Sequence, residues 1–131
     1  MKNLIKILFV IAALYDGILG ILFLFVSGRI FEAYGTIPPN HPGYVQFPAA
    51  VLLIFAIMFA AIARDPIHNR RLIPYGIMLK IAYCGTVLSH WFGSGIPGMW
   101  KPFVIFDLVF LVLFVLAFAA LGKSSAAEPQ R

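Results

Sequence analysis

Four apolar stretches, residues 4–26, 45–63, 72–91 and 103–121, divide this 131-residue chain, and three polar, Pro- and Gly-bearing breaks separate them. Each stretch holds about 19–23 residues, enough to cross a ~30 Å hydrocarbon core as a helix. A span in lipid must satisfy its own backbone hydrogen bonds, and a helix does so within one segment. The expectation is therefore an all-α, four-transmembrane-helix bundle running up-down-up-down, with its longest loop, residues 27–44, joining the first two helices on the outer side. The whole chain reads as one integral membrane domain, with residues 122–131 as a short disordered tail.

Composition supports this class. The chain is 62% hydrophobic and 11% charged, against roughly 25% charged residues in soluble domains. A soluble fold of this makeup would lack the polar surface to cover itself. The net charge of +5 does not point to nucleic acid, because the basic residues flank the helices instead of lining one face. Lys2, Lys6, Arg64, Arg70, Arg71, Lys123 and Arg131 fall on one side of the bundle, and Arg29 and Lys101 on the other. Positive residues concentrate on the cytoplasmic side, so both termini are expected in the cytoplasm of a bacterial cell, with the bundle in its inner membrane and lipid headgroups as partners. Trp91, Trp100, Tyr34 and Tyr44 then mark the outer interface. Lys2 and Lys6 before an apolar run resemble a secretion signal, but the run is longer than a signal core and lacks a cleavage pattern. A retained first helix is expected.

Three ionisable residues interrupt the apolar spans: Asp16 in the first, Lys80 in the third and Asp107 in the fourth. At ~1.5 Å per residue from the cytoplasmic helix ends, Lys80 lies ~12 Å deep, Asp16 ~18 Å, Asp107 ~21 Å and His90 ~27 Å. A lysine side chain reaches ~6 Å along apolar surface, so Lys80 can meet Asp16, with Asp107 just above. Unpaired, each charge costs ~2.5–3.5 kcal/mol to insert, so all three are expected to face one another inside the bundle. Ala13 and Gly17, and Ala12, Asp16 and Gly20, recur at four-residue spacing, a pattern that admits a neighbouring helix closely. On the third helix Gly76, Lys80, Tyr83, Cys84, Val87 and Trp91 share one face. The candidate site is then Tyr15, Asp16, Lys80, Tyr83, Cys84, Trp91 and Asp107, with His90 at its outer mouth. Past Pro48 the second helix carries no polar side chain before its end and is expected to be structural.

Two roles for this cluster remain open from the sequence. It can fix helix register, as buried polar groups do in bundles. It can also bind an apolar or amphipathic molecule, a quinone or a lipid, with Lys80 donating to a carbonyl or anion. No metal or cofactor site is expected. His41, His68 and His90 are too scattered in depth for metal or bis-histidine haem, and Cys84 is a lone cysteine. No nucleophile-and-base pattern is present, which points away from a self-contained enzyme. The remaining class is a non-catalytic subunit or assembly factor that associates with other membrane proteins or with itself.

The layout over residues 4–121, with four closely spaced helices, cytoplasmic termini and charges inside the first and third helices, resembles the DoxX-like group of small bacterial membrane proteins. The Ala63-Arg64-Asp65-Pro66 break followed by Lys80, His90-Trp91 and Asp107 is similar to many uncharacterised four-helix bacterial proteins. The DoxX-like resemblance implies a membrane subunit of quinone-linked oxidoreductases or a helper in thiol redox balance. The absence of paired cysteines speaks against the thiol role.

Overall fold

The computed structural model describes residues 1–127, with side chains described through residue 123. Its elements are α1 (Lys2–Phe25), α2 (Ser27–Ala33), α3 (Gly43–Arg64), α4 (Ile73–Phe92) and α5 (Lys101–Ala127), with single 3-10 turns at Arg70–Leu72 and Gly98–Trp100. The four long helices are each long and apolar enough to cross a membrane, and they run up-down-up-down. The chain is a multi-pass, all-helical integral membrane protein.

Several helix ends differ from the sequence expectation, each for a local reason. α3 starts at Gly43, ahead of the expected residue 45, so Pro48 lies a full turn inside it. Having no N–H, Pro48 leaves the Tyr44 carbonyl without its helical partner, at a helix end where Tyr44 is exposed. α5 continues to Ala127, so residues 122–127, expected in the tail, are helical. Small and charged residues there do not break a helix. Residues 128–131 of the expected tail lie outside the described residues. α2 stops where Gly35 turns left-handed at φ +62. The Thr36 N–H then bonds the Phe31 carbonyl and the Gly35 N–H bonds that of Glu32, the paired closure that glycine permits.

α1 and α3 pack closely because their facing residues are small. A Cβ on Gly20 would lie 2.9 Å from the Ala49 carbonyl oxygen, and one on Gly17 would lie 3.5 Å from the Ala56 Cβ. The small-residue face of α1 is thus covered from within by α3. At the end of the bundle that carries both termini, Phe9, Phe59 and Phe114 interlock, with ring centroids 4.9 Å apart for Phe9–Phe114 and 5.2 Å for Phe59–Phe114. At the opposite end a second apolar layer forms from Phe23, Phe31, Ala49 and Met99, with Trp100 and Phe103 against it. Trp100 stacks on Phe23 at 5.7 Å and is half-buried at the end of the bundle opposite the termini, while Tyr34 and Tyr44 remain exposed. Asp16, Lys80 and Asp107 sit between these two apolar layers.

The turn between α3 and α4 is tied down more firmly than its basic composition implies. Asn69 Nδ2 donates to the Ala61 and Asp65 carbonyls at 2.9 and 3.1 Å, a second bond on acceptors that the Asp65 and Asn69 backbone N–H groups also reach. Arg70 Nε donates to the Phe118 carbonyl at 3.0 Å, and its guanidinium lies 3.7 Å from the Phe118 ring centroid. One arginine thereby holds the far end of α5 to the start of α4.

Candidate functional site

Lys80 leaves α4 one turn after Gly76. A side chain at position 76 has no room, since a Cβ there would lie 2.6 Å from a Phe59 ring carbon. That close approach lets the Lys80 stem run inward at 1% exposure, next to Asp16 at 1% and Asp107 at 7%. Lys80 Nζ donates to Asp16 Oδ1 at 3.0 Å and Oδ2 at 3.2 Å, and to Asp107 Oδ1 at 3.0 Å. An ammonium has three N–H groups, and three carboxylate oxygens meet them. Asp107 Oδ2 stays outside the Lys80 contact. α1, α4 and α5 are therefore joined at one atom.

Aromatic rings complete the cage. Nζ lies 5.3 Å from the Phe110 ring centroid, 5.6 Å from Tyr15 and 5.9 Å from Phe59, distances at which a ring face attracts a cation. Tyr15 packs against Phe106 and Phe110, and its Oη is buried without a hydrogen-bond partner. The rings of Phe59 and Phe110 carry no signal in a sequence with 13 phenylalanines. Phe59 also gives the otherwise featureless α3 a place at the site.

Tyr83 and Cys84 lie beside the triad, whereas Trp91 and His90 separate from it. Tyr83 donates its hydroxyl to the Trp100 carbonyl at 3.4 Å, and Cys84 Sγ approaches the Val104 carbonyl at 3.8 Å. Both join α4 to the start of α5, one turn beyond Lys80. Trp91 lies about 16 Å further along the helix axis, where Lys101 Nζ stands 5.1 Å over its ring. His90 is exposed. Sharing a helix face with Lys80 does not bring Trp91 or His90 near it, because axial distance separates them.

The triad is enclosed except at Asp107, its most exposed member at 7%, and the Lys80 donors are satisfied by carboxylates. An open apolar groove of about 540 Å³ lies elsewhere, between α1 and α5 at the terminal end, lined by Leu4, Leu8, Leu113 and Ala117 among others. Among the described residues no group of three or more His, Cys, Asp and Glu is placed to hold a metal ion. What the triad can do chemically is clamp three helices together and exchange protons. No family model matches the chain, and neither a curated protein nor a solved structure matches it.

Proposed function

We propose that this protein is a non-catalytic membrane subunit that docks against a further transmembrane helix through the outward face of α4. The observation that carries this reading is a contrast between helices. α1, α3 and α5 meet their surroundings with large apolar side chains such as Ile18, Ile54, Ile57, Val112 and Leu116. The second half of α4 instead exposes Ala82, Gly85, Thr86 and Ser89, and a Cβ on Gly85 would meet nothing within 4 Å. Hydroxyls and small residues turned toward lipid gain little there, whereas they allow close helix–helix approach and hydrogen bonding across an interface. The small face of α1, the other candidate for docking, is already occupied by α3.

In this reading the triad is the clamp that keeps α4 in place, and the chain sits in a bacterial inner membrane with both termini in the cytoplasm, as the basic residues favour. The resemblance in layout to DoxX-like membrane subunits fits the same role. The test is in-membrane photo-cross-linking from a probe residue at Ala82, on the same exposed face, followed by purification, in the otherwise wild-type chain and with Gly85→Leu/Ser89→Leu. A partner helix, from another protein or a second copy, should be captured by the wild type and lost in the variant with helix content unchanged. A wild type that stays monomeric and uncross-linked in its native membrane refutes the reading.

A second reading keeps the triad as a site for an apolar or amphipathic molecule, a quinone or a lipid. It is favoured by Tyr15 Oη, a buried hydroxyl beside the triad with no partner, which a ligand carbonyl would satisfy. It requires Lys80 or Tyr15 to become reachable from the membrane. Mass spectrometry of molecules that co-purify with the wild type but not with Tyr15→Phe tests it, and identical co-purified molecules would exclude it.

A further inference from the structure

Two carboxylates around one ammonium carry a formal charge of −1 when all three are ionised, and their surroundings offer nothing to balance it. From α1 the neighbouring titratable group is Tyr15, and from α4 they are Tyr83 and Cys84, none of them a cation, while Lys101 at the start of α5 stands over Trp91, far along α4 from Lys80. α3 presents Phe59, and its own titratable residues, Tyr44 and Arg64, lie at its two ends. Arg29 and Glu32 of α2 stand beyond the apolar layer of Phe23, Phe31 and Trp100. An unbalanced charge enclosed between apolar layers is costly, and buried groups commonly avoid that cost by neutralising.

We propose that the triad is a proton-binding site that holds one proton at neutral pH on Oδ2 of Asp107, so that the buried set carries no net charge. Asp16 receives two contacts from Lys80, one on each oxygen, the arrangement that suits an ionised carboxylate. Asp107 receives one, on Oδ1. As the carbonyl oxygen of a carboxylic acid, Oδ1 still accepts that bond while Oδ2 carries the proton. Asp107 is also the more exposed of the two aspartates, at 7% against 1%, so the proton sits on the oxygen that a donor or acceptor can reach. The proposal is independent of the docking role of α4. It makes Asp107 a proton donor in the interior of the bundle, and loss of that proton would place an uncompensated charge between α1, α4 and α5.

The test is the infrared spectrum of the full chain in lipid bilayers at pH 7, where a protonated carboxyl gives a carbonyl stretch resolved from ionised carboxylates. The wild type should show one such band, shifting in D2O. The band should vanish in Asp107→Asn and also in Asp16→Asn, because either change leaves Lys80 facing a single carboxylate in a neutral pair. Absence of the band from the wild type would overturn the proposal whatever the variants do. Persistence of the band in both variants would also overturn it, by assigning the proton to another group.

Discussion

Lys80→Met tests the clamp most directly. Methionine keeps most of the length and volume of the stem and removes the cation that both Asp16 and Asp107 contact. At 3.0 Å and an effective dielectric near ~20, the Lys80–Asp16 pair carries about 5 kcal/mol of Coulomb attraction, and Asp107 adds a charge-assisted hydrogen bond at 3.0 Å. Desolvation offsets much of this in the intact triad, but the variant keeps the desolvation and loses the attraction. Removing one partner of a buried ion pair costs about 3–5 kcal/mol, whereas an ordinary interhelical hydrogen bond in a membrane protein contributes ~0.6 kcal/mol. Three short contacts to a lysine at 1% exposure favour the larger figure, so Lys80→Met should lose about 3–5 kcal/mol. Steric trapping in bilayers or mixed-micelle unfolding measures this, with fluorescence of Trp100, stacked on Phe23, as a local probe. Asp16→Asn/Lys80→Met/Asp107→Asn leaves no charge to strand and should lose less than Lys80→Met alone. A Lys80→Met protein within ~1 kcal/mol of wild type would reduce the triad to an ordinary interhelical contact.

Two further tests address parts of the bundle outside the triad. Gly20→Ala places a methyl 2.9 Å from the Ala49 carbonyl oxygen and should cost about 1–3 kcal/mol through overpacking; the same assay should find Gly28→Ala, with nothing within 4 Å, near neutral, and equal losses would contradict close α1–α3 packing. Asp65, in the turn outside the spans, is held below the usual carboxylate range chiefly by the His68 backbone N–H. Its folded value is the lower one, so its stabilisation is fully present above the ordinary carboxylate range and is lost as pH falls through that lowered value. A carbon-13 titration of the Asp65 carboxyl should give a midpoint below that of a free aspartyl peptide, and a midpoint at or above it would remove this support for the turn.

The spans and the triad were legible in the sequence for the same reason. Lipid demands long uninterrupted apolar runs, and it demands that charges such as Asp16, Lys80 and Asp107 find each other. Facing directions were not legible elsewhere, because the outside of a membrane bundle is as apolar as its inside. Nothing in a one-dimensional pattern distinguishes Phe59, which lies under Lys80, from Ile57, which is exposed. The small residues of α1 announced a close contact without naming α3 as its partner. Trp100 read as an interfacial marker, and the Gly98–Trp100 turn also folds it onto Phe23. Arg70 read as one more topology charge, and its bond to Phe118 spans 48 residues, a distance that no local motif encodes. Trp91 was assigned to the site by its helix face although it lies about 16 Å along the axis from Lys80, and His90, placed at the outer mouth by its depth, is exposed.

α4 carries polarity on both of its sides, and that sets it apart from its neighbours. Inward, Lys80 ties it to α1 and α5; outward, Gly85, Thr86 and Ser89 begin little more than one turn further along the same helix. A helix with groups that gain little from lipid on one face needs a strong hold on the other, or it can rotate to exchange them. With all three Lys80 donors engaged, rotating α4 would have to break three charge-assisted bonds in an apolar setting, so the outward face stays presented. The clamp and the proposed docking face would then be two consequences of one constraint. A variant that frees Lys80 should therefore disturb cross-linking from Ala82, even though Lys80 itself touches no partner.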